Sequence, residues 1–328
     1  MVTMTDFKAL TPRECAEKIL KTERPLVVMH ARPDGDTVGS GAALMVLFRM
    51  LGKEPKYICA DTIPERLAFL LEGEKSAEND DLSVYEPVAV DIASPAQMGD
   101  VFEKIPAPCL MIDHHEVGKP FADNYIIGGM SSAAEVVTVI VEELISMGKI
   151  KMTKELAYPL YAGISSDTAS FRYSATTAKT HLRAAYLIEQ GIDFSEISHR
   201  LFSTKSRAQL AAEGYAAENM KVAIGGKVAF AAVSLEQRNK IGAEFSDFET
   251  SIDIIRSLAG VEIAFIVKES DRGEFRVSIR STGRDVALIA SFFGGGGHIR
   301  AAGCNVSAVN ADEAANIVLQ KITEVYFG

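Results

Sequence analysis

Apolar residues fall along this chain in short runs that stop on residues able to hold a metal. Leu26-Val27-Val28-Met29 ends at His30, Val88-Ala89-Val90 at Asp91, and Cys109-Leu110-Met111-Ile112 at Asp113-His114-His115. Unbroken runs of this length suit strands buried on both faces, as in a parallel sheet covered by helices. Between them the spacing turns helical. Thr11-Pro12 opens a first helix, the loop Ala31–Gly41 leads into a second from about Ala42 to Leu51, and Lys56–Cys59 reads as a strand. The alternation predicts an α/β fold with a doubly wound, mostly parallel sheet. Ligands of such sheets bind beyond the carboxyl ends of the strands, where His30, Asp91 and Asp113-His114-His115 fall.

Further helices are predicted over Ser132–Met147, from Thr153 to about Ile164, and over Thr176–Gln190, closed by Gly191. From Phe194 to Met220 a polar, helix-favouring segment takes over and reads as a connector. Beyond it, strands near Val228–Val233, Ile263–Val267 and Phe275–Ile279, with helices near 247–259, 285–291 and 311–325, predict a smaller α+β domain. The expected organisation is a first domain over 1–193, a helical connector over 194–220 and a second domain over 221–328.

A length of 328 residues agrees with two domains. The formal net charge of -10 argues against a broad grip on long nucleic acid, although a few arginines or a metal still reverse the sign locally. Cys15, Cys59, Cys109 and Cys304 lie far apart, which points away from a zinc–thiolate site or a disulfide framework and toward a reducing compartment. No signal-peptide pattern opens the chain. The longest apolar stretch, Ala42–Phe48, is too short to cross a membrane and meets Arg49 at once. A soluble cytoplasmic protein without a membrane partner is the expectation.

His30, Asp34 and Asp36 lie within one short loop, where Gly35 allows a tight turn between the two carboxylates. Taken alone, this loop is equally a turn rich in Asp and Gly, Asp91 and Asp113 are equally helix caps, and Asp167 in Ser165-Ser166-Asp167-Thr168 is equally a turn residue. Adjacent imidazoles at His114-His115 beyond a buried strand need partners. From these come two histidine and four aspartate ligands with no thiolate, a set suited to Mn²⁺ or Mg²⁺. Paired divalent ions are the usual apparatus for attacking phosphate esters. In the second domain Gly294-Gly295-Gly296-Gly297 precedes His298. The run is either a flexible loop or an anion-binding nest, and Arg280 is either a solvated side chain or a phosphate contact.

With these residues assembled, the chain resembles the DHH/DHHA1 phosphoesterases over nearly its whole length. His30 to Asp36 resembles the family's first motif, Asp91 its second, Asp113-His114-His115 its name-giving triplet and Asp167 its fourth; Gly295-Gly296-Gly297-His298 resembles the DHHA1 signature. A compact two-domain chain of this kind is similar to the nano-RNase and pAp-phosphatase branch. The resemblance implies that His30, Asp34 and Asp91 hold one Mn²⁺ and that Asp36, Asp91, His114 and Asp167 hold a second, with Mg²⁺ or another divalent ion as substitutes. It implies that His115 lies beside the substrate phosphate and that Asp113 orients the histidines. Gly295, Gly296, Gly297, His298 and Arg280 would grip a terminal phosphate, with Arg32 and Ser40 as subsidiary contacts. The implied reaction is hydrolysis of very short oligoribonucleotides and of 3′-phosphoadenosine 5′-phosphate (pAp) by metal-activated water, in a crevice between the domains. Cyclic di-AMP or linear pApA are the alternative substrates, a non-catalytic nucleotide-binding regulator is the alternative of another class, and a homodimer is compatible. The motifs place no stacking platform for bases, although Phe171, Tyr173 and Phe293 lie near them.

Overall fold

The computed structural model describes residues 7–328, so the first six residues of the expected first domain lie outside the described residues. The chain divides in sequence into two compact units between Thr204 and Lys205.

In the first unit five strands, β1 (Pro25–Val28), β2 (Lys56–Ile58), β3 (Glu86–Val90), β4 (Leu110–Asp113) and β5 (Asn124–Ile126), pair in the order β2-β1-β3-β4-β5. Every pairing is parallel. The order runs outward in one direction from β1 to β2 and in the other from β3 to β5, so the topological switch lies between β1 and β3. His30 and Asp91 follow those two strands directly, flanking the place where such sheets bind ligands. The helices are α1 (Pro12–Lys21), α2 (Gly35–Met50), α3 (Glu65–Ala68), α4 (Val101–Lys104), α5 (Ala133–Ser146), α6 (Lys154–Asp167), α7 (Ala178–Ile188) and α8 (Phe194–Ser198).

Helix α2 differs from its expected extent. The stretch read as a loop through Gly41 is helical from Gly35, and α2 is buried without interruption from Gly35 to Phe48. Asp34 starts it, accepting from the Asp36 and Thr37 amides at 3.0 Å each. The glycines that suggested a turn serve instead to let backbones approach. A Cβ on Gly39 would lie 2.7 Å from the Gly163 nitrogen and 2.8 Å from the Pro159 carbonyl oxygen, both in α6.

The second unit is built of α9 (Arg207–Glu218), β6 (Lys221–Ala223), β7 (Val228–Val233), α10 (Leu235–Ile241), α11 (Ser251–Arg256), β8 (Ile263–Glu269), β9 (Phe275–Ser281), α12 (Val286–Ser291), β10 (Gly296–His298), β11 (Ala301–Val306) and α13 (Ala311–Tyr326). The six strands run in the order β10-β11-β9-β8-β7-β6, with β7 and β8 parallel and every other pair antiparallel. Phe265, Val267, Val277 and Ile279 pack on one face with Ile289 of α12 and Val318 of α13. Ala229, Ala231, Ala264 and Ile266 pack on the other with Ala212 and Ala216 of α9 and Ile252 and Ile255 of α11. The segment expected to be a connector is thus shared: α8 lies in the first unit, and α9 contributes core to the second. An α/β unit with a parallel sheet and a smaller α+β unit is the architecture predicted from the apolar pattern.

Two glycines separate packing from intrinsic helix propensity. Gly39→Ala is expected to lower the unfolding free energy by about 1–3 kcal/mol through overpacking. Gly214→Ala, at an exposed position of α9 with nothing near its Cβ, is expected to raise it by about 0.5–1 kcal/mol. Urea denaturation of both variants checks the contrast.

Candidate metal centre

Asp91 is the residue around which the first unit's polar groups gather. It follows β3 with φ 59°, a left-handed conformation rare for a side chain other than glycine, and its amide donates to the Ile112 carbonyl at 2.9 Å. The side chain is 3% exposed. Oδ2 faces His30 Nε2 at 3.4 Å and Oδ1 faces His114 Nε2 at 3.4 Å, so one carboxylate lies between two imidazoles. Its Oδ1 is buried without a hydrogen-bond partner.

Both imidazoles are oriented from behind. His30 Nδ1 lies 2.8 Å from the Ala31 carbonyl, and His114 Nδ1 lies 2.9 Å from the Met130 carbonyl. Each contact fixes the ring and leaves Nε2 toward the carboxylates, the arrangement in which histidine ligates metals. Asp113, the last residue of β4, accepts from His115 Nδ1 at 2.7 Å. It therefore orients His115, whereas His114 is held by a backbone carbonyl that no residue type in the sequence could announce. Asp36 and Asp167 also approach His114 Nε2, each at 3.8 Å. Ligand atoms of His30, Asp34 and Asp91 lie within 4.8 Å of one another, as do those of Asp36, His114 and Asp167 and those of Asp91, His114 and His115.

Asp36 has a structural duty as well. Its carboxylate accepts from the Ala133 amide at 2.6 Å and the Ala134 amide at 3.0 Å, tying α2 to the first turn of α5. Gly163 keeps this junction close, since a Cβ there would meet the Ala134 side chain at 2.5 Å and Asp36 Oδ1 at 3.1 Å. Asp167 is the final residue of α6 rather than a residue beyond it, and Ala169, Ser170 and Phe171 after it are all left-handed.

The charges are strongly interdependent. Burial alone would lower His30, but contacts with Asp34 and Asp91 raise it to about 11. His114 likewise rises to about 11 against its burial, through Asp91, Asp36 and Asp167. Burial and the neighbouring carboxylates push Asp36 well above the usual carboxylate range, and burial foremost lifts Asp167 to about 7. Asp91 is held low despite its burial, by His114 and His30. His115 is raised, its Asp113 partner outweighing burial.

Of the other expected contacts, Ser40 is corrected. It is fully buried, and its hydroxyl donates to the Asp36 carbonyl at 2.7 Å, so it is not available to a substrate. Arg32 is exposed at a left-handed position, its amide donating to Asp61 Oδ2 at 2.8 Å. In the second unit the glycine run is neither a flexible loop nor a nest over Gly296–His298, which form edge strand β10. A Cβ on Gly295 would lie 2.2 Å from the Gly303 carbonyl oxygen, and one on Gly297 would lie 2.5 Å from that of Ala301, so the glycines are needed by the strand's own partner. Register aligns His298 with Ala301 and Ala301 with Arg280, which puts His298 and Arg280 on one face of the sheet across three strands.

Asp113→Asn keeps the shape of the His115 contact and removes its charge. The His115 pKa is expected to fall toward the ordinary imidazole value, which NMR titration of the ring protons measures; an unchanged titration contradicts the pairing.

Two family models match the chain: the DHH family N-terminal domain over residues 24–164 and the DHHA1 domain over residues 225–324. The bifunctional oligoribonuclease and PAP phosphatase NrnA of Thermus thermophilus is 30% identical over 319 residues, which cover 95% of this chain and 93% of that protein. The crystal structure of an exopolyphosphatase-related protein from Bacteroides fragilis superposes with a TM-score of 0.86 at 23% identity, covering 94% of each chain. The exonuclease RecJ, in a structure bound to manganese, shares the fold with a TM-score of 0.54 at 15% identity, covering 99% of this chain and 97% of that one.

Proposed function

The chain belongs to the DHH/DHHA1 family and hydrolyses phosphoester bonds, and on that premise we propose that its substrates are very short oligoribonucleotides and pAp. The relative from Thermus thermophilus, matched along nearly the whole of both chains, carries both activities in its name. The single observation that supports the chemistry most is the buried Asp91 carboxylate, with one oxygen toward His30 and the other toward His114.

The donor set fits a pair of divalent cations. Asp91 Oδ1 is buried and lacks a partner, the imidazoles are anchored through Nδ1, and no thiolate lies among the clustered ligands. His30, Asp34 and Asp91 would hold one ion and Asp36, Asp91, His114 and Asp167 the other. Mn²⁺ is the favoured ion, with Mg²⁺ also suited to such oxygen-rich sites. When bound, the ions would supply a water of lowered pKa and stabilise charge on the transferring phosphoryl group. The chain's own residues do the rest. His115, raised against its burial by Asp113, lies beside Asp91 and can donate to a phosphate oxygen or to the leaving group. Asp113 keeps that ring in place. In the second unit His298 and Arg280 would bind a terminal phosphate from one sheet face, and the close-packed glycines of β10 would leave room beside them.

Incubation with a pRNA dinucleotide, pAp and cyclic di-AMP, under one manganese condition, tests the substrate assignment. Turnover of the dinucleotide and pAp is expected; turnover of cyclic di-AMP alone would overturn it.

Three further outcomes follow from the site. Asp91→Asn is expected to abolish metal binding by calorimetry and reduce kcat by at least about 10³-fold, with the circular dichroism spectrum retained. Metal must displace the protons of His30 and His114, both raised to about 11, so binding near neutrality is expected to release at least those two and to tighten as pH rises. Calorimetry in buffers of different ionisation enthalpy counts them. For His298→Ala, KM for each phosphorylated substrate should rise about tenfold with a smaller change in kcat, as loss of a charge-assisted contact predicts.

A further inference from the structure

The second unit contains a group of cations that the catalytic reading does not use. Lys268 on β8 and Arg276 on β9 are cross-strand partners, on the sheet face opposite Val267 and Val277. Arg238 of α10 is 1% exposed and Lys268 is 4% exposed. All three converge on one ring. The Lys268 ammonium lies 4.3 Å from the centre of Phe245, with the Arg238 and Arg276 guanidinium carbons at 5.7 Å and 5.8 Å.

The counter-charge does not match. Arg238 donates to Asp271 Oδ1 at 2.6 Å, but that aspartate is 73% exposed. Glu249 acts on Lys268 only through space, while Arg276, Arg280 and Arg238 oppose its charge. Lys268 has no hydrogen bond or ion pair among the described residues, and Arg238 Nε is buried without a partner. One phenyl face attracts cations weakly and accepts no conventional hydrogen bond from three of them at once. The unpartnered Arg238 Nε is costly to bury, and burial foremost drives Lys268 down to about 8. Packing alone would place an apolar side chain at position 268, as at Ala264 and Ile266 on the same strand face.

We propose that Lys268, Arg276 and Arg238 around Phe245 form a phosphate-binding site, separate from the His298–Arg280 row. Arg276 lies on the same face of β9 as Arg280, four residues along, roughly 13 Å away at the backbone. The unit therefore presents two anion positions along one strand, a spacing suited to phosphates two links apart in an extended nucleotide chain. That identification of the ligand rests on the nucleotide-phosphoesterase reading; the site itself does not.

The test uses the full-length protein in Mg²⁺ buffer with inorganic phosphate as probe, comparing wild type, Lys268→Met and Arg276→Gln. Wild type is expected to gain thermal stability with added phosphate. Lys268→Met should melt higher than wild type without phosphate and respond less to it, and Arg276→Gln, an exposed change, should also blunt the response. An undiminished phosphate response in both variants overturns the proposal, as does a lower melting temperature for Lys268→Met with binding unchanged. Kinetics then distinguish the source of the phosphate. For a bound oligonucleotide, KM for a trinucleotide rises about tenfold in either variant, as loss of one charge-assisted contact predicts, while KM for pAp changes less. For free phosphate, both KM values stay put and only the thermal response is lost. A wild-type protein that binds phosphate here yet turns over no nucleotide would sink the function proposed above and leave this site standing.

Discussion

The first unit depends on the position of one carboxylate. Asp91 is buried and left-handed and is flanked by His30 and His114, so its charge is compensated from both sides. A lone buried carboxylate would be expelled or neutralised. Here two imidazoles raised to about 11 keep it ionised, and each is braced by a main-chain carbonyl at Nδ1. The parallel sheet makes this possible by ending β1, β3 and β4 on the same side. The pairing order then turns at the gap between β1 and β3, where Asp91 reaches across to His30.

Much of this was legible in the residues. Short apolar runs ending on His30, Asp91 and Asp113 marked parallel strands and their carboxyl ends, because burial on both faces leaves little room for polar positions. The clustered aspartates and histidines were each recognisable by type. What the pattern could not carry was packing between distant helices. Gly35, Gly39 and Gly41 look like turn residues locally, yet they lie in a buried helix, Gly35 and Gly39 packed against α6 and Gly41 against Met29 and Val27, and Ser40 is buried with them. Met130 was invisible because only its carbonyl matters. Asp36 was read for its charge, while its hold on the Ala133 and Ala134 amides depends on a helix nearly a hundred residues away.

The second unit was harder to read for a related reason. Glycine runs signal freedom when isolated, but β10 is an ordered edge strand whose glycines admit the backbone of β11. Strands this short and side-chain-poor have no apolar alternation to betray them. The cations around Phe245 were scattered through the sequence at 238, 268 and 276, and only the pairing of β8 with β9 gathers two of them. In a chain whose formal net charge is -10, the fold thus brings Lys268, Arg276 and Arg280 onto one sheet face.

The clustered donors come from five separated places: the ends of β1, β3 and β4, the start of α2, and the last residue of α6. A chain still emerging from the ribosome exposes His30, Asp34 and Asp36 long before Asp167 is synthesised. Ions met at that stage find only a weak, incomplete set of ligands. A metal held by this cluster would therefore be selected only once the sheet has closed its order, by the assembled donors rather than by the growing peptide.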